Sequence, residues 1–349
     1  MAARATRSAS RKARVTEAVA TGPFGALSHD ALGVIVDGLA DPLQPVVAVA
    51  FSSTCKGLRT PLQAALEVLR QRFEKAKALC LKVRKTRGCS KFGEPGPSMV
   101  ETDPELAGKD FAVLLDHKDH ACRLEEIEEL WWSGLGLTDA DIAALGMIMR
   151  YSQLPKLSNL GLMENAFGDA GMQALCEGLD GVPSLRVLQL GGNSKLGLAS
   201  AEALAAALGR RALPQLEELL LNGIAIQEEL HVDTPPGNSI GKEGAAALAA
   251  PLRKLTALKT LGLCFCNIGD EGVASLFADL GKEDFKAIQH FYLAGNKLTD
   301  KGCQTLVSAL KVDAMPQLTQ LRLEGNDHAS YEAIKAVGDA LDASWDESP

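Results

Sequence analysis

Rings are the scarcest large side chains in this 349-residue sequence: Phe, Trp and Tyr together make up 5% of it. Its six histidines are spread over the whole length, which leaves few candidates for general acid–base work. Long apolar runs are missing too. The longest uncharged stretch, Pro42 to Cys55, holds two prolines and is too short for a membrane span, so no membrane-embedded protein is expected. Eight cysteines without a pairing pattern read as reduced thiols of an intracellular protein, not as a disulfide framework. The phosphate-cradling GxxxxGK[ST] motif is absent, since Gly241-Lys242 is followed by Glu243 and the first glycine position holds Pro236. HExxH, GxSxG and a GxGxxG after a strand are absent as well. These absences predict no enzyme, no catalytic residue, no metal and no cofactor.

What is present is the composition of a folded chain, 46% hydrophobic and 23% charged. The length exceeds one ordinary domain unless the fold is a repeat array. The formal net charge of −8 hides an asymmetry: residues 1–91 hold 16 basic and 6 acidic side chains, residues 92–349 hold 20 and 38. Two parts of opposite sign either meet different partners or dock on each other.

One pattern, L-x-x-L-x-L-x-x-N-x-I/L-G, recurs from about residue 124 to 345. It reads LSNLGLMENAFGDAG from Leu157, LRVLQLGGN from Leu185, LEELLLNG from Leu216, LKTLGLCFCNIGDEG from Leu258, IQHFYLAGNKLTDKG from Ile288 and LTQLRLEGND from Leu318. A degenerate first copy, IEELWWSGLGLTDAD, starts at Ile127. The asparagine position falls on Leu135, Asn165, Asn193, Asn238, Cys266, Asn296 and Asn326, at spacings of 30, 28, 45, 28, 30 and 30. The long interval marks an insertion, 224–237.

L-x-L is a short strand whose leucines point to one face, because strand side chains alternate. The asparagine turns the chain out of the strand and bonds exposed backbone in the turn. Helical spacing follows, as in Leu204 with Leu208 and Leu306 with Leu310. Asp169, Asp270 and Asp300 stand at helix starts, where their carboxylates suit the free amides of those helices. One repeat cannot bury its own face, so the seven must stack into a solenoid. These residues resemble the ribonuclease-inhibitor-like class of leucine-rich repeats. The resemblance implies an α/β solenoid with parallel strands on a concave wall and helices outside, a fold that mostly binds proteins.

The amino-terminal part is different. Residues 1–21 are a basic tail, with a transit peptide or a nuclear-localisation segment as alternatives to plain disorder. Within 22–60, Leu27, Leu32, Ile35, Val36 and Leu39 fall at helical spacing and a second apolar run follows Pro45. Leu27, Asp30, Leu32, Ile35, Val36, Leu39 and Cys55-Lys56 resemble an F-box, the small all-α module that docks a Skp-type adaptor in cullin-based ubiquitin ligases. Ser28 stands where that family has proline and Leu58 where it often has tryptophan. The resemblance implies adaptor contacts at Leu27, Asp30, Leu32, Ile35, Leu39 and Lys56; the other reading is a helical cap on the solenoid.

Residues 61–87 read as one amphipathic helix. Leu62, Leu66, Leu69, Phe73, Ala76, Cys80 and Val83 make its apolar stripe, and Arg70, Arg72, Lys75, Lys77, Lys82, Arg84, Lys85 and Arg87 its basic faces. Without interleaved aromatics this charge predicts a solvated face, or one turned to the acidic repeats, and no nucleic acid or membrane partner. Residues 88–123 read as a linker. Its His117, His120 and Cys122, with Cys80 and Cys89, match no standard zinc spacing.

On the concave wall, the central strand positions are Trp131, Gly161, Gln189, Leu220, Gly262, Tyr292 and Arg322, flanked by Glu129, Met163, Glu218, His290, Gln320 and Glu324. Trp131, Met163, Gln189, Leu220, His290, Tyr292 and Arg322 are the expected contacts with an unknown target protein, with Gly161 and Gly262 leaving room between them. Cys264 and Cys266 read as structural. The functional expectation is an F-box substrate receptor in the cytoplasm or nucleus. The alternative is a non-ligase scaffold or a small-GTPase regulator, since repeats of this period also occur in the Ran GTPase-activating protein.

Overall fold

The computed structural model describes residues 63–88, 127–223, 238–281, 283–312 and 315–346. The basic tail, the F-box-like segment with Leu27, Asp30, Leu32, Ile35, Leu39 and Lys56, the linker beyond Gly88 and the insertion 224–237 lie outside them.

Each repeat supplies one three-residue strand: β1 Glu129–Trp131, β2 Asn159–Gly161, β3 Val187–Gln189, β4 Glu218–Leu220, β5 Thr260–Gly262, β6 His290–Tyr292 and β7 Gln320–Arg322. They form one parallel sheet in chain order and in constant register. The middle row of that register is 0% exposed from β1 to β6, at Leu130, Leu160, Leu188, Leu219, Leu261 and Phe291, and half-buried at Leu321 in β7, so one face of the sheet is sealed except at its last strand. The fold is therefore the α/β leucine-rich-repeat solenoid that the periodicity implies.

The sealing layer is a row of helices: α2 Asp139–Ser152, α3 Asp169–Gly178, α4 Leu198–Gly209, α5 Gly241–Arg253, α6 Gly269–Phe277, α7 Asp300–Leu310 and α8 Tyr331–Asp346. Each packs on its sequence neighbour. Between α2 and α3 the approach is backbone to backbone. A Cβ on Gly178 would lie 2.2 Å from the Gly146 carbonyl oxygen, so any side chain there would force the helices apart. Where α6 is short, three rings fill the interior instead: Phe277 and Phe291 centroids are 5.2 Å apart, and Phe285 meets Phe291 edge-on at 5.9 Å.

Each ladder asparagine joins two repeats. The Asn165 carbonyl oxygen accepts from Leu135 N and Leu137 N, and its amide donates to Trp132 O and Leu162 O. Asn193 accepts from Asn165 N, Asn238 from Asn193 N, and Asn326 from Asn296 N and Leu298 N. Asn296 accepts from Cys266 N at 3.0 Å and donates to Leu263 O and Leu293 O. All five asparagines are buried. Cys266 keeps half of the role: its thiol donates to Leu221 O at 3.1 Å, but it carries no amide oxygen for the repeat before it.

The helix-start aspartates work differently from the expectation. Each reaches across to the next repeat instead of capping its own helix. Asp139 Oδ1 accepts from Gly168 N and Gly171 N at the head of α3, and Asp169 Oδ1 from Gly197 N and Ser200 N at the head of α4. Asp270 holds Thr299 before α7, and Asp300 holds Ser330 N before α8. Adjacent helices lie side by side with their free amides level, so the neighbour's amides come within reach of a first-turn carboxylate. Burial raises the Asp169 pKa, but the bonds from the Ser200 hydroxyl and the Gly197 and Ser200 amides outweigh it and hold the carboxyl below its ordinary value. The series is interrupted by Leu198 in α4 and Lys242 in α5, where Lys242 pairs instead with Glu271 at 2.6 Å.

The amphipathic helix spans Gln63–Gly88 (α1), and the boundary between two compact units falls inside it, after Ala76. Up to that point Leu69 and Ala76 are buried and Phe73 half-buried. Beyond it Leu79, Cys80 and Val83 are buried. Lys82 Nζ there donates to Gly136 O at 2.9 Å and pairs with Asp141 at 2.5 Å. One basic side chain thus faces the acidic repeats.

Replacing Asn296 by Ala removes the acceptor for Cys266 N and the donor to two carbonyls. Asn296→Ala should cost about 1–3 kcal/mol of stability, read as a lower thermal midpoint with the native circular-dichroism spectrum retained. A midpoint unchanged from wild type would contradict the ladder's role.

Candidate functional site

The open face of the sheet carries the residues at the first and third strand positions. The residues expected at the centre of each strand, Trp131 to Arg322, fall instead at its third position, and Met163 and Glu324 lie beyond the strands, because each strand begins one residue before its first inward leucine or phenylalanine. Their surroundings are less uniform than their spacing.

At the amino-terminal end, Trp131 is half-buried and its indole N–H donates to Glu129 Oε2 at 2.8 Å; the other oxygen of Glu129 accepts from Asn159 at 2.9 Å. The Trp131 ring reaches over β2: a Cβ on Gly161 would sit 2.4 Å from it. Gly161 therefore leaves no open room, contrary to expectation; the missing side chain is what lets the indole cross to the next strand. The same correction applies to Gly262, where a Cβ would meet the Asn222 amide at 2.7 Å and the Leu220 side chain at 2.8 Å. Met163 and Leu220 are half-exposed, and Gln189 donates to Glu218 at 2.8 Å. Trp131, Met163, Gln189 and Leu220 are thus strung along the wall and do not converge on one centre.

Three predicted residues do come together. His290 stacks on Tyr292 with centroids 6.2 Å apart, and the Arg322 guanidinium lies over the same tyrosine ring at 5.1 Å. Constant register places Tyr292 directly beside Arg322, and Tyr292 O–H donates to Gln320 at 3.4 Å. Burial raises the Tyr292 hydroxyl pKa, with the Arg322 charge working against it. The His290 Nδ1 atom is buried with no hydrogen-bond partner.

Three features were not read from the sequence. Asn222 is 2% exposed, and its oxygen accepts from Cys264 N at 2.9 Å, bracing the strand end just before the insertion. Phe265 is held at φ +55°, a left-handed conformation that bulky side chains rarely adopt, and its ring covers Gly295. Its signal was in the alignment: Gly134, Gly192, Gly295 and Gly325 occupy the same repeat position, all at positive φ. Along one edge of the sheet, Glu217 takes both Lys259 at 2.8 Å and Arg186 at 2.5 Å, and these cations hold its carboxyl below the ordinary range.

The buried Cys264 and Cys266 thiols are free, and burial pushes Cys264 up to about 11 and Cys266 higher still, so neither supplies a thiolate nucleophile near neutral pH. Among the described residues no His, Cys, Asp and Glu side chains converge as a metal site, and no helix is long and apolar enough to cross a membrane. Of the zinc candidates weighed above, only Cys80 lies among those residues, and it is buried in α1.

Comparison with known proteins agrees with the class that the fold defines. The leucine-rich-repeat family model matches residues 153–176, 254–277 and 288–307. The chain is similar to ribonuclease inhibitor of Sus scrofa, 32% identical over 229 residues, covering 53% of this chain and 49% of that protein. Ribonuclease inhibitor of Mus musculus is 29% identical over 255 residues, covering 67% and 54%. The chain thus spans about half the length of these curated relatives, and its repeats are similar to those of ribonuclease inhibitor. Among solved structures, a chain of the yeast Rad7–Elc1 complex aligns over 62% of this chain and 48% of its own, with a TM-score of 0.41 and 19% identity.

The Trp131–Gly161 contact makes the wall testable on its own. Gly161→Ala should displace the indole and change tryptophan emission, with no such change when Trp131 is already Phe. Unaltered emission in Gly161→Ala would mean that the ring does not lie on β2.

Proposed function

We propose that this protein is a binding protein and not an enzyme: the open face of its repeats holds a target protein, and residues 24–60 dock a Skp-type adaptor of a cullin-based ubiquitin ligase. The observation that carries the first part is the open face itself. It presents Trp131, Tyr292 and Arg322, side chains typical of interface anchors, on a sheet whose other face is buried from β1 to β6. Among the described residues no nucleophile–base pair accompanies them. The second part rests on the sequence pattern Leu27, Asp30, Leu32, Ile35, Leu39 and Lys56, which lies outside the described residues.

A scaffold without ligase function, or a regulator of a small GTPase, would use the same face and need no adaptor. The two readings separate at Ile35. Ile35→Glu should abolish co-purification of a Skp-type adaptor that the wild-type chain retains, and leave the thermal midpoint of the repeats unchanged, because a buried interfacial carboxylate is strongly disfavoured. A wild-type chain that never retains the adaptor would favour the scaffold.

A further inference from the structure

We infer that the open face at β6 and β7 recognises a single acidic side chain, Asp or Glu, on an extended protein segment, with Arg322 as its cationic anchor. This rests on the reading of the open face as a protein-binding surface and names the chemistry of what binds there.

The contrast with three arginines that brace the solenoid carries the argument; Arg150 also stacks on a tyrosine, Tyr151 at 5.6 Å, but on the last turn of α2, away from the open sheet. Arg186 is spent on Glu217, Arg210 on Asp180 and the Cys176 carbonyl, and Arg253 on the Leu276 and Ser275 carbonyls at a helix end. Those side chains hold the solenoid together. The Arg322 guanidinium, by comparison, has no hydrogen bond or ion pair among the described residues; only its flat face is engaged, on Tyr292. A guanidinium stacked this way is held in orientation while its N–H fork remains available, which suits a carboxylate taken in bidentate fashion. Ordering the side chain in advance also reduces the entropy lost on binding.

His290 supports the anchor from the other side of Tyr292. Its ring is fixed against Tyr292, and its Nδ1 is buried without a partner, an uncommon condition for a buried polar atom. Closed off from solvent, that nitrogen is not itself a contact; the ring buttresses Tyr292 under the Arg322 guanidinium.

The surrounding charge narrows the ligand to one carboxylate. Glu324 is exposed two residues beyond Arg322 on the same face, and Glu218 is near enough to influence the Tyr292 hydroxyl. Together with the acidic excess of residues 92–349, these groups would repel an acidic run or a doubly charged phosphate. A lone acidic side chain flanked by neutral or basic residues fits both signs.

The test pans the full chain against displayed random linear peptides, in parallel with Arg322→Glu and Trp131→Ala chains of native circular dichroism. Wild type should enrich peptides with one Asp or Glu at a fixed position. Arg322→Ala should weaken them about tenfold or more, and Arg322→Glu should select Lys or Arg at that position. Enriched peptides that lack acidic residues, or that bind Arg322→Glu as tightly as wild type, would overturn the proposal. So would a preference for phosphoserine over Asp. Peptides lost with Trp131→Ala but indifferent to Arg322 would overturn it and leave the protein-binding reading intact, whereas no enrichment on any chain would overturn both.

Discussion

A leucine-rich turn buries backbone that it cannot satisfy by itself, and the asparagine amide that joins each turn to its neighbour is what permits the rest of the structure. Asn165, Asn193, Asn238, Asn296 and Asn326 accept from or donate to the repeat before them while donating within their own. An unpartnered buried amide or carbonyl costs about 1–3 kcal/mol, so leaving several per repeat open would exhaust the stability of an ordinary domain. The strand register and the level helix ends follow from turns held at one height.

The aspartate series repeats this logic on the helical side, and both series weaken at the same place. Leu198 and Lys242 interrupt the aspartates, Cys266 replaces an asparagine, and the insertion 224–237 enters between them. Local substitutes stand in. Asn222 braces Cys264, the Cys266 thiol keeps the donor half of the lost amide, and Lys242 meets Glu271 on the surface. A surface ion pair contributes little compared with a carboxylate that accepts from backbone amides of the next helix, so this seam relies on its apolar contacts and strand pairing more than the others do.

Much of this was legible in the sequence, because spacing is a physical instruction. The period located the seven strands, alternation separated Leu160 and Leu188 from Gly161 and Gln189, and the apolar stripe identified α1. Reach was not legible. The sequence places Asp169 at the head of its own helix, and only the distance between neighbouring helices shows that its bonds go to the next. A glycine likewise states that a side chain is missing, not what occupies the space: Trp131 over Gly161 and Asn222 over Gly262 were invisible for that reason. The convergence of His290, Tyr292 and Arg322 was anticipated from the register, but the free guanidinium and unpartnered imidazole nitrogen needed the surrounding contacts to be seen.

Amide hydrogen exchange tests the central claim most directly. The amides of Leu135, Leu137, Asn165, Asn193, Cys266, Asn296 and Leu298 lie in turns, where exchange is ordinarily fast, yet each donates to an asparagine side chain of the following repeat. If those bonds hold the solenoid together, their protection should fall within about tenfold of the Leu160 and Leu188 strand amides. Exchange at the rate of open loops, with the strands still protected, would contradict the account.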